Sequence, residues 1–300
     1  MITVNKTSFS REEAAALVAR SEARFADSME TLIFHLLSHT DTECVTLSGP
    51  TCSGKTTMAN KLTDSITKAG KCAVVLSIDD FFKNRTVPKS TEHTVDYDSV
   101  SAIDLDYLAE CTRKMLRAER TPLPRYDFVS GIRTECAEYV PQPDDIIVFE
   151  GIQAVYPEVV ALFRAYPYKS IYISVAEPIS VNGTVFTAEE IRLSRRLVRD
   201  FHFRSASPDF TLHLWKGVRE NEEKNIYPYM GGCDYHINSL MEYEPFMIAP
   251  YLIPLLESVP IDSPYFTEAV QLREKYRCVE GAEIPADLLP ENSLYHEFLG

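Results

Sequence analysis

The sequence predicts an α/β fold in which a parallel β-sheet is covered by helices on both faces. Short apolar runs typical of strands recur along the chain, at residues 44–48, 72–77, 146–149 and 170–175. Stretches with helical character lie between them, at residues 56–69, 104–118 and 157–165. This alternation indicates a parallel sheet, because each crossover between parallel strands needs a long connection that is usually a helix.

Further elements extend this pattern toward both ends of the chain. Apolar residues at helical spacing over residues 11–39 predict an amphipathic helix, with Ser10 in position to cap it. Another helix is predicted over residues 187–202, and a last short strand over residues 234–238. From Pro245 onward the pattern is helical with frequent prolines. The simplest organisation is one compact domain with helical extensions.

Composition excludes several classes of protein. The 300 residues carry a formal net charge of −14, which disfavours non-specific binding to nucleic acid or to an anionic membrane. No apolar run approaches the ~20 residues of a membrane span, and the N-terminus lacks the pattern of a signal peptide. The seven cysteines are scattered without C-x-x-C pairing. They predict reduced thiols in a cytoplasmic protein and no zinc site.

A phosphate-binding loop separates the first predicted strand from the helix that follows it. The pattern G-x-x-x-x-G-K-[ST] is complete and consists of Gly49, Pro50, Thr51, Cys52, Ser53, Gly54, Lys55, Thr56 and Thr57. Its glycines let backbone N–H groups surround an anion, and the helix adds the positive end of its dipole. Lys55 can reach the β- and γ-phosphates, and the Thr56 hydroxyl can bind Mg²⁺. The Cys52 thiol is read as a small filler of the loop, with a redox switch as the alternative.

Two acidic positions follow predicted strands. Asp79 and Asp80 come after the second strand, and Glu150 and Gly151 come after the third. Because the carboxyl ends of parallel strands share one edge of the sheet, Asp79 and Glu150 are expected near the phosphate loop. Asp79 could accept a proton from an attacking hydroxyl or hold Mg²⁺ through water, whereas a helix N-cap is the structural alternative. Glu150 is the expected second carboxylate of a magnesium–nucleotide site.

An arginine-rich stretch stands out in so acidic a chain. Spacings of three and four residues place four arginines on one face of the predicted helix, and a fifth follows near its end. They are Arg192, Arg195, Arg196, Arg199 and Arg204. Such a guanidinium face supplies bidentate donors for a transferring phosphoryl group. The structural alternative is a network of ion pairs.

A third cluster has the residue types of a recognition loop. Residues 122–133 contain two prolines followed by aromatic, acidic and basic side chains, including Tyr126 and Arg133. An aromatic ring can stack on a base or sugar, and charged groups can read hydroxyls and carbonyls. A hairpin with a buried tyrosine explains the pattern nearly as well. Upstream, Tyr97 and Asp98 lead into a helix, and Asp98 could bind a vicinal diol, cap the helix or be solvated.

In this order, the motifs resemble those of the uridine kinase/phosphoribulokinase family of P-loop kinases, over about residues 45–204. Beyond the phosphate loop, the similarity rests on Ile78-Asp-Asp-Phe-Phe82, Tyr97-Asp98, Pro124-Arg-Tyr-Asp-Phe128, Phe149-Glu-Gly-Ile152 and Arg192-Leu-Ser-Arg-Arg-Leu-Val-Arg-Asp200. Residues 222–228 and 290–299 also resemble a longer bacterial branch of nucleoside kinases. The resemblance implies a P-loop kinase fold with a five-stranded parallel sheet and a helical lid.

The organisation expected from this resemblance has three parts. Residues 1–42 form an N-terminal helical extension, residues 43–240 the P-loop kinase domain with a lid around 187–210, and residues 241–300 a C-terminal helical extension. The implied reaction transfers the γ-phosphate of ATP or GTP to the 5′-hydroxyl of uridine or cytidine, with Mg²⁺.

The resemblance also assigns roles to individual residues. Asp79 would be the general base, and the Mg²⁺ ligands would be Thr56, Asp79 and Glu150. Lys55, Arg195 and Arg199 would be catalytic with Asp79, and Arg195, Arg199 and Arg204 would close over the phosphates. The acceptor would contact Asp79, Phe82, Tyr97, Asp98, Tyr126, Arg133 and Arg192.

Departures from the family's pattern leave other acceptors open. Gly131 stands where pyrimidine-specific enzymes have a histidine, Phe82 replaces a tyrosine, and Arg204 is followed by Ser-Ala-Ser where the family often has Gly-Arg. The acceptor could then be a sugar phosphate, pantothenate or another nucleoside. A nucleotide-binding regulator is the alternative from another class. The helical ends could pack on the core, form a homo-oligomer or bind an effector.

Overall fold

The computed structural model describes residues 1–39, 42–85, 99–128, 130–142 and 145–300. The strands are β1 (Ile2–Val4), β2 (Cys44–Ser48), β3 (Ala73–Ser77), β4 (Thr121–Asp127), β5 (Ile132–Tyr139), β6 (Ile146–Glu150), β7 (Tyr168–Ser174), β8 (Ile179–Val181), β9 (Thr184–Phe186) and β10 (Tyr235–Asn238). The α-helices are α1 (Arg11–Ser38), α2 (Lys55–Lys68), α3 (Leu105–Met115), α4 (Pro157–Phe163), α5 (Ala188–Arg204), α6 (Pro208–Asn221), α7 (Tyr227–Met230), α8 (Glu244–Glu257), α9 (Phe266–Tyr276) and α10 (His296–Leu299). A π-helix at Glu222–Ile226 joins α6 to α7.

The central sheet has five parallel strands in the order β10-β7-β2-β6-β3. The predicted α/β fold is therefore confirmed, and the five predicted strands lie within about two residues of the observed ones. The carboxyl ends of β2, β3 and β6 come together in register, with Ser77 and Leu47 both paired with Glu150. This edge of the sheet is the one from which the phosphate loop and Asp79 emerge.

Alternate residues of the sheet enter two different hydrophobic clusters, one on each face. Val45 and Leu47 of β2 face the cluster that contains α1, α2, α5 and α8. Ile147 and Phe149 of β6 face the cluster that contains α3 and α4. A sheet buried on both faces needs apolar side chains at successive positions, which explains why these strands read as continuous apolar runs.

Both ends of the chain pack on the central domain. Helix α1 starts with a capping box between Ser10 and Glu13, which confirms the predicted N-cap. Its apolar face, with that of α8, lies in the same cluster as α2 and β2. Helix α5, predicted as part of a lid, packs against α6, α8 and α10, and most of its residues are buried. Among the described residues, no helix is long and apolar enough to cross a membrane.

Two small sheets were not predicted. Strands β1, β8 and β9 form one of them, and the chain around Tyr126 forms the antiparallel hairpin β4–β5. The hairpin reading of residues 122–133 is therefore the one that matches the structure, and Tyr126 is buried. Short strands with prolines at alternate positions carry little periodicity, which is why the pattern also fitted a loop.

Gly131 closes the turn of this hairpin in a backbone conformation that favours glycine. Its φ angle is +71°, and a Cβ atom built there would lie 2.7 Å from Cβ of Arg85. The Arg85 N–H donates to the Gly131 carbonyl over 2.7 Å, which fixes the approach of the two segments. The turn therefore has no room for any side chain at position 131.

Replacing Gly131 with alanine is expected to destabilise the protein more than the matched change at Gly70. Both glycines have positive φ, but nothing lies within 4 Å of a Cβ built at Gly70. The left-handed conformation destabilises each variant by about 1 kcal/mol, and the contact with Arg85 destabilises Gly131→Ala by about 1–3 kcal/mol more. Chemical denaturation of both variants measures the difference. Equal losses would show that Arg85 moves away freely.

Candidate active site

A cavity of 630 Å³ opens at the carboxyl edge of the sheet. Its walls come from the phosphate loop, the ends of β3 and β6, helix α5, the α6–α7 junction and the C-terminal helix α10. The residues that line it are Thr51, Cys52, Lys55, Thr56, Asp79, Phe82, Phe128, Glu150, Gly151, Ile152, Gln153, Arg196, Arg199, Arg204, Val218, Asn221, Glu222, Ile226 and Glu297. Phosphate loop, carboxylates and arginines thus meet around one space.

The phosphate loop wraps tightly between β2 and α2. A Cβ atom at Gly49 would lie 2.1 Å from the carbonyl oxygen of Ile173, so only glycine fits there. Gly54 has a φ angle of +91° and caps α2 without a side-chain hydrogen bond, and the first two residues of the helix, Lys55 and Thr56, line the cavity. Nζ of Lys55 donates to the carbonyls of Gly49 and Pro50, over 3.0 and 3.1 Å. Cys52 is buried in the loop.

Asp79 and Glu150 bring two carboxylates to the floor of the cavity. Burial raises the pKa of Asp79 to about 6, and the negative charge of Glu150 adds to this effect. The Lys55 charge and a hydrogen bond from the Gln153 side chain oppose it. Burial also raises the pKa of Glu150, which accepts a 3.2 Å hydrogen bond from Oγ of Ser77. The site therefore concentrates negative charge with one lysine to balance it.

Asp80 faces away from the floor of the cavity. Its Oδ1 accepts a 2.9 Å hydrogen bond from the backbone N–H of Tyr126, and its carboxylate lies 3.7 Å from Arg125. It therefore fastens the β4–β5 hairpin to the end of β3. The two adjacent aspartates therefore have different roles, because Asp79 lines the cavity and Asp80 does not.

Two arginines of the predicted phosphate-binding face lie beneath the phosphate loop, in the protein interior. Arg192 forms a bidentate pair with Glu222, at 2.5 and 2.8 Å, and donates to the Thr51 carbonyl over 3.2 Å. Arg195 pairs with Glu244 through two hydrogen bonds and donates to the Cys52 carbonyl over 3.1 Å. Neither arginine lines the cavity. The ion-pair alternative describes their geometry, and they support the loop from behind.

The other three arginines of this stretch line the cavity and surround one carboxylate, that of Asp200. Asp200 lies 3.2 Å from Arg196, 2.7 Å from Arg199 and 3.6 Å from Arg204. Three guanidinium groups on one carboxylate leave an excess of positive charge. Burial lowers the pKa of Arg204, and the positive charge of Arg199 lowers it further. An anion in the cavity would relieve this repulsion.

Only some of the described residues that were predicted to contact the acceptor line the cavity. Phe82 lines the cavity and packs edge-to-face on Tyr126, with ring centroids 5.6 Å apart. Tyr126 itself lies behind Phe82 and does not line the cavity. Arg133 pairs with Asp104 at 3.0 Å and stacks on Tyr107. Tyr97 and Asp98 lie outside the described residues, so their predicted roles are not addressed by this structure.

Several cavity residues were not predicted from the sequence. Gln153 follows the Glu150-Gly-Ile motif and supports Asp79 through its hydrogen bond. Asn221 and Ile226 come from the π-helical junction, a distortion often found at functional sites. Glu297 comes from the far end of the chain. Gln153 had a local signal in its position two residues after the acidic turn, whereas Ile226 and Glu297 lie in stretches whose resemblance to the bacterial branch assigned them no role.

The donor set at this edge fits a magnesium ion held jointly with a nucleotide. Within the described residues, no cluster of three or more His, Cys, Asp or Glu side chains could hold a metal alone. Mg²⁺ typically takes one or two protein carboxylates and completes its shell with water and phosphate oxygens. Asp79 and Glu150, with the accessible hydroxyl of Thr56, supply that kind of partial site.

Comparisons with known proteins show the family to which this sequence is related. Residues 44–244 match the family model described as Phosphoribulokinase / Uridine kinase family. A uridine kinase of Lactobacillus helveticus is 27% identical over 173 residues, which span 57% of this chain and 74% of that protein. A uridine kinase of Saccharomyces cerevisiae is 28% identical over 65% of this chain, but only 36% of its own length is matched.

Among solved structures, the fold is shared with a protein from Silicibacter sp. TM1040 that was proposed to be a fructose transport system kinase. The TM-score is 0.53 at 18% identity, covering 69% of this chain and 98% of that one. At this level of identity the likeness concerns the fold alone.

Replacing Asp79 with asparagine is expected to stabilise the protein at neutral pH. The folded pKa of about 6 lies above the ordinary value of 3.8, so the ionised carboxylate destabilises the fold at pH 7–8. That cost disappears below about pH 4, where the carboxyl is protonated in both states. Asp79→Asn should therefore gain on the order of 1–3 kcal/mol at pH 8 and little at pH 4. Denaturation at both pH values measures this.

The control is Asp262→Asn, which removes the same charge from an exposed position. It should leave stability unchanged at either pH. A loss of stability in Asp79→Asn at pH 8 would mean that the Asp79 carboxylate is stabilised by its partners, against this expectation.

Replacing Arg195 with methionine is expected to cost about 3–5 kcal/mol of stability, because Glu244 would remain buried without its cation. Arg195→Met combined with Glu244→Gln should recover part of that loss. The control is Arg11→Met, which breaks the exposed 2.8 Å pair with Asp287 and should cost at most about 1 kcal/mol. Urea denaturation compares the three variants, and equal losses at Arg195 and Arg11 would contradict the supporting role.

Proposed function

Since the chain belongs to the phosphoribulokinase/uridine kinase family, we propose that it is a kinase that phosphorylates the 5′-hydroxyl of a nucleoside. Uridine and cytidine are the proposed acceptors, and ATP or GTP is the donor. The observation that carries the proposal is the single cavity shared by Lys55, Asp79, Glu150 and the arginines around Asp200. The matched relatives that are uridine kinases support the acceptor class.

Asp79 is the proposed general base. It lies at the floor of the cavity beside the phosphate loop, where the acceptor hydroxyl must approach the donor phosphate. A carboxylate with a pKa of about 6 is ionised at neutral pH yet basic enough to accept a proton as the new bond forms. Gln153 holds this carboxyl through its hydrogen bond, so it acts as a positioning residue.

The phosphate loop and arginines are proposed to neutralise the phosphates. Helix α2 begins at the cavity, which Lys55 and Thr56 line, and the N–H groups and dipole of a helix N-terminus attract an anion. Lys55 can exchange its two carbonyl partners for phosphate oxygens. Arg199 and Arg204 approach from the opposite wall. In a loose in-line transfer, positioning and charge neutralisation supply most of the catalysis.

Arg192 and Arg195 are proposed to act through the loop, because their guanidinium groups contact its carbonyls from behind. Thr56, Asp79 and Glu150 are proposed to hold Mg²⁺. When bound with the nucleotide, this ion would draw negative charge from the β- and γ-phosphate oxygens.

The acceptor side of the cavity is built mainly from the hairpin and the end of β3. Phe82 and the exposed ring of Phe128 lie there, with ring centroids 6.0 Å apart. At Gly131, where the pyrimidine-specific enzymes have a histidine, the turn leaves no space for a side chain and Arg85 packs across it. This feature favours testing other acceptors beside the pyrimidine nucleosides.

The six described cysteines are free thiols, which supports a cytoplasmic site of action.

Purified protein is expected to transfer phosphate from Mg·ATP to uridine or cytidine. The assay compares these with purine nucleosides, pantothenate and ribulose 5-phosphate, with Lys55→Ala as the blank. Asp79→Asn should lower turnover by about 10²–10⁴-fold while nucleotide binding survives, because asparagine cannot accept the proton but keeps an oxygen for the Mg²⁺ shell. Release of ADP coupled to each acceptor measures the rates.

Turnover on another acceptor would keep the kinase mechanism and replace the pyrimidine assignment. An Asp79→Asn variant as active as the wild type would contradict the role of Asp79. Nucleotide binding without transfer to any acceptor would favour the regulator that the sequence left open.

A further inference from the structure

The C-terminal segment (residues 290–300) packs directly on the phosphate loop. The side chain of Leu294 is fully buried, and a Cβ atom built at Gly54 would lie 2.5 Å from its Cδ1. Phe298 packs beside Arg195, whose guanidinium carbon lies 4.8 Å from the ring centroid. Oγ of Ser293 donates to Glu22 of α1 over 2.5 Å. The segment is therefore held by contacts with the loop, with α5 and with α1.

Glu297 of this segment binds the start of helix α2. Its Oε2 accepts a 2.9 Å hydrogen bond from Oγ1 of Thr57 and a 3.3 Å hydrogen bond from the Thr57 N–H. Thr57 is the third residue of α2, and its N–H is among those that have no carbonyl partner within the helix. These are the donors that a phosphate group needs when it binds a helix N-terminus.

The position of Glu297 is unfavourable for a bound nucleotide. Its carboxylate lines the same cavity as Glu150, and its negative charge contributes to the raised pKa of Glu150. A phosphate brought to the Thr57 N–H would compete with the carboxylate for the same donor and would be repelled by it. One of the two anions must leave.

We propose that Glu297 is an autoinhibitory residue that occupies a phosphate-binding position in the nucleotide-free protein and is displaced when the donor nucleotide binds. This inference rests on the proposed function, because it takes the donor to be a nucleotide phosphate at this loop. Displacing the Glu297 carboxylate costs free energy, which makes the binding free energy of the donor less favourable. The C-terminal segment therefore partly sets the affinity of the site for the donor.

The test measures the affinity of Mg·ADP by calorimetry for the wild type, Glu297→Gln and Glu297→Ala. Both variants lack the charge, and each is expected to bind ADP about tenfold more tightly than the wild type. The matched control is Glu291→Gln, an exposed position of the same segment that does not line the cavity, and its affinity should equal that of the wild type.

Adenosine is the second probe, because it lacks the phosphates that compete with Glu297. Its affinity should be the same in all of these proteins. A gain for adenosine as large as that for ADP would show that the substitutions merely loosen the site, and it would overturn the proposal. Equal or weaker ADP binding by the Glu297 variants would overturn it as well.

The outcomes separate this proposal from the proposed kinase function. If the wild type binds ADP in a Lys55-dependent manner but Glu297→Gln binds no better, the autoinhibitory role fails and the kinase assignment stands. If no variant binds ADP more tightly than Lys55→Ala, both fail.

Discussion

The buried guanidinium of Arg195 joins parts of the chain that are far apart in sequence. It donates to Cys52 in the phosphate loop, to Ser239 after β10 and to Glu244 at the start of α8, and it packs on Phe298. A guanidinium has five N–H donors in one plane, so it can satisfy several acceptors at once without exposing its charge to water. The cost of burying it is offset only when all of these parts are in place. The shape of the phosphate loop thus depends on the correct packing of distant segments.

The cavity in front of this support concentrates charge of both signs. Burial raises the pKa of Asp79 and of Glu150 beside Lys55, the charge of Glu150 raises that of Asp79 further, and three arginines surround Asp200. Neither group is at its electrostatic optimum in the absence of a ligand. Such an arrangement contributes little to folding stability, but it prepares the site for an anion and a cation that arrive together.

The main sheet could be read from the sequence because its strands are buried on both faces and form unbroken apolar runs. The rule that carboxyl ends of parallel strands share one edge placed Asp79 and Glu150 near Lys55, where the structure has them. It could not divide the arginines of α5 into buried and open ones. That division depends on Glu222 and Glu244, which lie 30 and 49 residues from Arg192 and Arg195. Periodicity shows that residues share a helical face but does not show what packs against it. The contact of Glu297 with Thr57 was not predicted for the same reason, since 240 residues separate the two.

The packing of α1 has a consequence for the order in which the protein folds. This 28-residue helix is synthesised well before α8, yet it contacts residues near position 240. Arg24 pairs with Glu242 and Glu22 accepts from Tyr243, while Phe9, just before the helix, packs on Phe246. At about 5–20 residues per second, ribosomal synthesis leaves its apolar face without these partners for roughly ten seconds or more. Contacts of such long sequence separation also slow folding. The nascent chain is therefore expected to depend on chaperones until α8 has emerged from the ribosome. This dependence ends once α1 has packed in the folded protein.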